Sequence, residues 1–189
     1  MFLSSPLLKK LVLLAAVAPL AATAHANGIS ATATYTDSLV SPGVYDYSIT
    51  LNNTGTTTIG TFWFGWVPGA GFLSAAPTNV ISPTGWTPTV TNAGKAVRWT
   101  TTSSLLAPGD SLSGFSFDST ETPAQLLLDF TGTGTGSGDP VATSFVYIAA
   151  PLADPGAELV ATATPEPSSI LLLLTGVGLL GFMKRRVRA

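Results

Sequence analysis

Tyr45-Asp46-Tyr47-Ser48-Ile49-Thr50-Leu51-Asn52-Asn53-Thr54-Gly55 is the stretch that decides the fold. Its apolar residues fall at every second position. That sends Tyr45, Tyr47, Ile49 and Leu51 to one face of an extended chain, and Asp46, Ser48 and Thr50 to the other. A helix would need apolar residues three and four apart, so the stretch reads as a half-buried strand. Asn and Gly tolerate positive φ, and Asn52-Asn53-Thr54-Gly55 therefore closes the strand with a turn. Next comes the run 59–67, with Phe62, Trp63, Phe64 and Trp66. Apolar side chains on both faces predict a central strand covered on both sides. Further strands are expected at 31–36, 96–101, 111–117, 125–130, 143–149 and 158–163, separated by Pro/Gly turn clusters at 67–71, 82–85, 107–110 and 131–140. No segment between the two ends has a convincing amphipathic-helix period. The expected fold class is all-β: an antiparallel immunoglobulin-like β-sandwich of roughly seven to nine strands.

The ends are of a different kind. Lys9 and Lys10 precede the apolar run 11–18, Pro19 interrupts it, and Ala24 and Ala26 place small residues where a signal peptidase must accommodate them. The run is well short of the roughly 20 apolar residues that span a bilayer. Residues 1–26 are therefore expected to form a cleavable signal helix, with the Sec translocon and signal peptidase as partners and Asn27 as the new N-terminus.

Removing that signal removes His25, the sole histidine, and the chain has no cysteine. From 27 to 164 the cations are Lys95 and Arg98, against nine carboxylates, a formal charge of −7. Phosphate backbones demand clustered Lys and Arg, so no nucleic-acid partner is expected. Triads, thiol chemistry, His-based zinc sites and phosphoryl clamps lack their residues. Neither a metal nor another cofactor is expected. Carboxylate pairs of the glycosidase kind remain, Asp118 with Glu121 and Asp129 with Asp139. Acids near strand ends and turns read first as solvated surface, so no enzyme is expected. Asp129-Phe130-Thr131-Gly132 is not an Asp-Thr-Gly, because Phe130 intervenes. The Gly-rich run 131–139 has a single carboxylate, Asp139, without calcium-loop spacing, and reads as a flexible inter-strand loop.

Binding remains to be weighed. A flat indole ring stacks on a sugar, and Trp63, Trp66, Trp86 and Trp99 are the candidates. Trp63, Trp66 and Trp99 lie in alternating strands and are expected in the core. Trp86 sits in the turn-like Pro83-Thr84-Gly85-Trp86-Thr87-Pro88 and is the candidate glycan contact, one that burial would end. Threonines repeat at i, i+2 in 32/34/36, 87/89/91 and 131/133/135. An ice-binding plane would need such rows stacked in register, and the sequence shows no regular repeat to stack them.

The stretch from Gly85-Trp86-Thr87 through Val97-Arg98-Trp99 to 106–117 resembles the hairpins of bacterial surface immunoglobulin-like domains, which supports the sandwich without naming a ligand. The last segment is more specific. Pro165-Glu166-Pro167 is followed by Ser168, Ser169 and the Leu/Gly-rich run 170–183, then by Lys184, Arg185, Arg186 and Arg188. This order resembles the PEP-CTERM sorting signal. The 14 residues of 170–183 would make a helix of about 21 Å, short of the roughly 30 Å hydrocarbon core. The four cations after it are expected to stay in the cytoplasm by the positive-inside rule. The resemblance implies recognition by an exosortase-type membrane peptidase, cleavage near the motif and transfer to the cell surface or its exopolysaccharide. A plain membrane anchor is the alternative. The expected organisation is thus a signal at 1–26, an extracytoplasmic β-domain at 27–163 and a sorting segment at 164–189. The expected function is a non-catalytic structural or surface-interaction role in the envelope or extracellular matrix. A glycan-binding module is the alternative, and an ice-binding protein a minor one.

Overall fold

The computed structural model describes residues 28–148 and 155–164. The expected signal helix, its Ala24/Ala26 cleavage site, the Pro165-Glu166-Pro167 motif, the apolar run and the basic end lie outside the described residues. Among the described residues no helix is long and apolar enough to cross a membrane.

Eleven strands are described: β1 (Ala31–Ser41), β2 (Val44–Asn53), β3 (Thr61–Phe64), β4 (Trp66–Val67), β5 (Ala70–Gly71), β6 (Thr78–Ile81), β7 (Thr87–Thr91), β8 (Ala96–Thr100), β9 (Ser111–Ser119), β10 (Thr143–Tyr147) and β11 (Gly156–Ala163). One helical turn, α1 (Pro123–Leu126), lies between β9 and β10. Nine strands make one hydrogen-bonded sheet in the order β6-β9-β2-β1-β11-β10-β3-β8-β7, and β4 with β5 forms a separate hairpin. The sheet folds over so that its two halves face each other. Across the gap the Phe115 ring of β9 lies 5.4 Å from Phe62 of β3 and 5.4 Å from Trp99 of β8, and Phe117 lies 5.1 Å from Phe64.

The alternation of 45–51 is realised: Tyr47, Ile49 and Leu51 are fully buried in this core and Tyr45 is partly buried against it. The all-β sandwich expectation therefore holds, but the purely antiparallel one does not. β1 and β11 pair in parallel, from Ala33↔Ala161 to Tyr35↔Ala163, and this pair joins the two halves into one sheet. A small residue at both Ala33 and Ala161 lets the core close over the join.

The strand expected at 125–130 is also corrected. Thr122 accepts from the Gln125 amide and the Gln125 side chain accepts from the Thr122 amide, a capping box that starts a helix. Pro123 has the φ a first helical residue needs. Only Leu126 reaches the core, while Leu127 and Leu128 are exposed. β6 and β7, which the sequence did not signal, are both edge strands with little apolar alternation. Pro88, which cannot donate to a ladder, is tolerated in β7 for that reason.

Strand directions decide which connections meet. β10 runs opposite to β11, β3 opposite to β10, β8 opposite to β3, β2 opposite to β1 and β9 opposite to β2. The end at which β11 finishes therefore also carries the β1–β2 turn, the 65–77 connection, the turn into β8 and the 120–142 connection.

Candidate functional site

That end holds a cleft of about 490 Å³, lined in part by Phe72, Ser74, Lys95, Glu121, Asp129 and Phe130. Glu121 forms its polar wall and is only 4% exposed. Three contacts fix it. Its amide donates to Ser119 Oγ at 3.1 Å, its carbonyl accepts from the Tyr47 hydroxyl at 2.5 Å, and its Oε1 accepts from the Ser74 amide at 2.7 Å. Its Oε2 is buried and has no hydrogen-bond partner among the described residues. A buried carboxylate oxygen left without a donor is costly, which marks it as an acceptor available to a ligand or an ordered water. Lys95, on the turn into β8, lines the opposite chemistry into the same cleft.

Phe72 and Phe130 are part of the apolar wall, and the Gly-rich run packs against them. Phe130 donates its amide to the Asp139 carbonyl at 2.7 Å, Gly138 donates to the Phe130 carbonyl at 3.1 Å, and Asp139 donates to Gly136 at 3.1 Å. Gly134, Gly136 and Gly138 all take positive φ, which glycine alone adopts without strain. A Cβ at Gly136 would fall 2.3 Å from the Phe72 ring, so this backbone lies directly on Phe72. Phe72 in turn packs 4.7 Å from Phe130. The run 131–139 is an inter-strand connection, as expected, and it folds on itself through its own backbone bonds and against Phe72.

The other expected site residues scatter. Asp118 is nearly buried on β9 and accepts from the Asn79 side chain at 2.6 Å, so it holds β6 against β9. Asp129 is exposed and bridges to Pro140, whose neighbour Asp139 is half-buried. Among the described residues no group of three or more His, Cys, Asp or Glu is placed to hold a metal ion. Glu158 of β11 has its carboxyl pushed above the ordinary value, first by partial desolvation and then by the charge of Asp139.

Trp86 is a correction. It is 5% exposed, its ring meets Phe115 edge-on at 5.2 Å and its Nε1 donates to the Ser104 carbonyl at 3.0 Å. Burial leaves no free face for a sugar to stack on. Trp99 is a core residue stacked on Phe62 at 5.5 Å. Trp63 and Trp66 stack at 4.1 Å in a second buried cluster with Tyr147, where the Arg98 guanidinium lies 5.3 Å from the Trp63 ring centre. The threonine rows do not form one plane, since β1 carries the first, β7 at the sheet's edge the second and the Gly-rich cover the third. Locally, however, the β1 row continues across the ladder, Thr162↔Thr34↔Thr50↔Ser113, until the Gly114 bulge breaks it.

The exit of the chain completes the geometry. Beyond β11 the Thr164 amide and hydroxyl both donate to the Tyr35 carbonyl, at 2.8 and 2.9 Å. The described chain is thus clamped up to the residue before Pro165. Residues 163–188 match the PEP-CTERM protein-sorting motif. The chain carries a PEP-CTERM sorting signal. A PEP-CTERM signal implies export, a membrane-anchored C-terminal signal before processing, and processing by an exosortase, which is a membrane protein.

A search of curated proteins finds no match. Among solved structures, a GH20 exo-β-N-acetylglucosaminidase from Vibrio harveyi is 11% identical over 71% of this chain, with a TM-score of 0.39. The present chain spans only 18% of that enzyme. The chitin-binding domain of a Streptomyces coelicolor protein is 26% identical over 58% of this chain and 86% of its own, with a TM-score of 0.33. The CBM3 of Hungateiclostridium clariflavum is 10% identical over 66% of this chain and 96% of its own, with a TM-score of 0.35. Likenesses this slight assign neither fold nor ligand.

Proposed function

We propose that this is a non-catalytic protein of the bacterial envelope or extracellular matrix, a β-domain delivered by export and exosortase processing to a structural or surface-interaction role. The observation that carries this reading is the PEP-CTERM signal at 163–188, which begins on the last residue of β11. Asp118, one of the carboxylates considered for catalysis, supports it, because Asn79 engages it in holding β6 against β9. The test is the product made in a host that has an exosortase. The wild-type chain is expected at the cell surface or in the matrix, with a mass lacking residues 184–189. Glu166→Ala is expected to stay in the membrane fraction at full mass. A wild-type product that keeps 184–189 sinks the reading.

A glycan-binding module is the second reading, and the cleft now favours it in place of Trp86. Phe130 is a partly exposed ring, and Glu121 Oε2 is an acceptor without a donor among the described residues. A sugar supplies both an apolar face and hydroxyl donors. Retention of the processed protein on the host's exopolysaccharide should weaken in Phe130→Ala and in Glu121→Gln, while Trp63→Phe leaves it unchanged. Equal retention of all three removes this reading and leaves the first standing.

A further inference from the structure

We propose that the β1–β2 hairpin tip is a membrane-contacting element, which seats the domain end-on against the bilayer while the sorting tail is still attached. The proposal rests on the membrane-anchored stage that the sorting signal implies. Between Asp37 and Asp46 the chain carries no charge: Ser38-Leu39-Val40-Ser41-Pro42-Gly43-Val44-Tyr45. Within it Leu39 is 63% exposed and Val40 53% exposed. Aliphatic side chains beside a tyrosine, on an uncharged turn, are what a bilayer interface accepts. Asp37 lies five residues back from Pro42, roughly 16 Å along the strand, so the tip enters ahead of it.

Topology aims the tip. β1 runs parallel to β11, and their pairing stops at Tyr35↔Ala163. Six residues of β1, 36–41, run on past that point in the direction the tail leaves, about 20 Å at strand rise. From Thr164 to Ile170, where the apolar run begins, the chain is also six residues and spans at most about 20 Å. A fully stretched tether is thus no longer than the hairpin's extension past the β1–β11 pairing, so the tip is within reach of the surface in which the apolar run is anchored. A tether this short keeps the tip beside the surface at high effective concentration, so a weak apolar contact is enough to be occupied. The cleft opens on this same end, and a seated domain turns it toward the lipid.

The chain has no cysteine, which makes single-site labelling direct. The full chain with its tail is reconstituted into phosphatidylethanolamine/phosphatidylglycerol vesicles. An environment-sensitive fluorophore is placed at Val40→Cys or, as control, at Thr54→Cys beyond the other end of β2. Bromolipids are expected to quench the label at position 40 several-fold more than the label at position 54. Equal quenching of the two, with the chain floating with the vesicles, overturns the proposal alone. A chain that does not float shows that the tail is not embedded, and the sorting-stage reading falls with it. If position 40 is not quenched but Leu39→Asp slows removal of the tail in a host with the peptidase, the tip docks on the peptidase and the lipid proposal is wrong.

Discussion

Tyr47 shows how one side chain ties core to site. Its ring packs between Tyr35 at 5.8 Å and Phe117 at 5.4 Å, and its hydroxyl donates to the Glu121 carbonyl. Tyr47→Phe leaves that buried carbonyl without its donor, and chemical denaturation is expected to show a loss of about 1–2 kcal/mol. Burial, with Asp37's charge second, pushes the Tyr47 hydroxyl well above its ordinary value of 10.0, and Tyr35 is raised by the same two causes. The unfolded chain ionises near the ordinary value and the folded one resists. Stability is therefore expected to fall as pH climbs through 10, and less steeply in Tyr47→Phe. Glu158 behaves in the same sense at acid pH. With its carboxyl raised above the ordinary 4.5, the folded state favours the protonated form, and stability is lost as pH rises through that region. Glu158→Gln is expected to melt higher than wild type at pH 7 and with it at pH 3. The opposite order would show that Glu158 makes a favourable charged contact.

At the scale of elements, the Gly-rich cover and the central strands differ in how they are specified. The cover is a backbone object: its hydrogen bonds are internal and its glycines take φ values other residues avoid. Gly136→Ala would combine a positive φ of 76° with a Cβ only 2.3 Å from the Phe72 ring. Hydrogen exchange is expected to rise across 130–139, with a cost of about 1–3 kcal/mol, while β2 and β9 keep their protection. Strands with one buried face announced themselves in sequence, β1 and β2 most clearly, because period two is imposed wherever core and solvent lie on opposite sides. The segment 125–130 did not. Leu126-Leu127-Leu128 looks like a strand core, yet the Thr122/Gln125 capping box and Pro123 decide locally for a helix, and two of the three leucines end up in solvent.

For the whole molecule, β11 is the piece on which closure depends. It lies fifth in the nine-strand order and, though among the last strands made, bonds to β1 on one side and β10 on the other. A chain stopped at Pro155 keeps every earlier strand but loses both ladders. It is expected to show no cooperative thermal transition, whereas a chain stopped at Thr164 melts like the full protein in calorimetry. Completion of the fold and emergence of the sorting signal thus belong to neighbouring residues, with Thr164 bonded to Tyr35 and Pro165 next.

By itself the sequence determined the sorting signal at 163–188, the all-β class and the acidic stretch 27–164 without histidine or cysteine. These are properties of composition and local period, and they need no partner residue to be read. Only the tertiary structure decided that Trp86 is core, that Glu121, Phe130 and Lys95 share a cleft, and that β1 and β11 run in parallel. The reason is physical: the cleft residues lie far apart in the chain and no local signal links them. Direction and register are properties of pairing between strands distant in the chain, and the parallel β1–β11 pair places the β1–β2 hairpin at the end where β11 finishes.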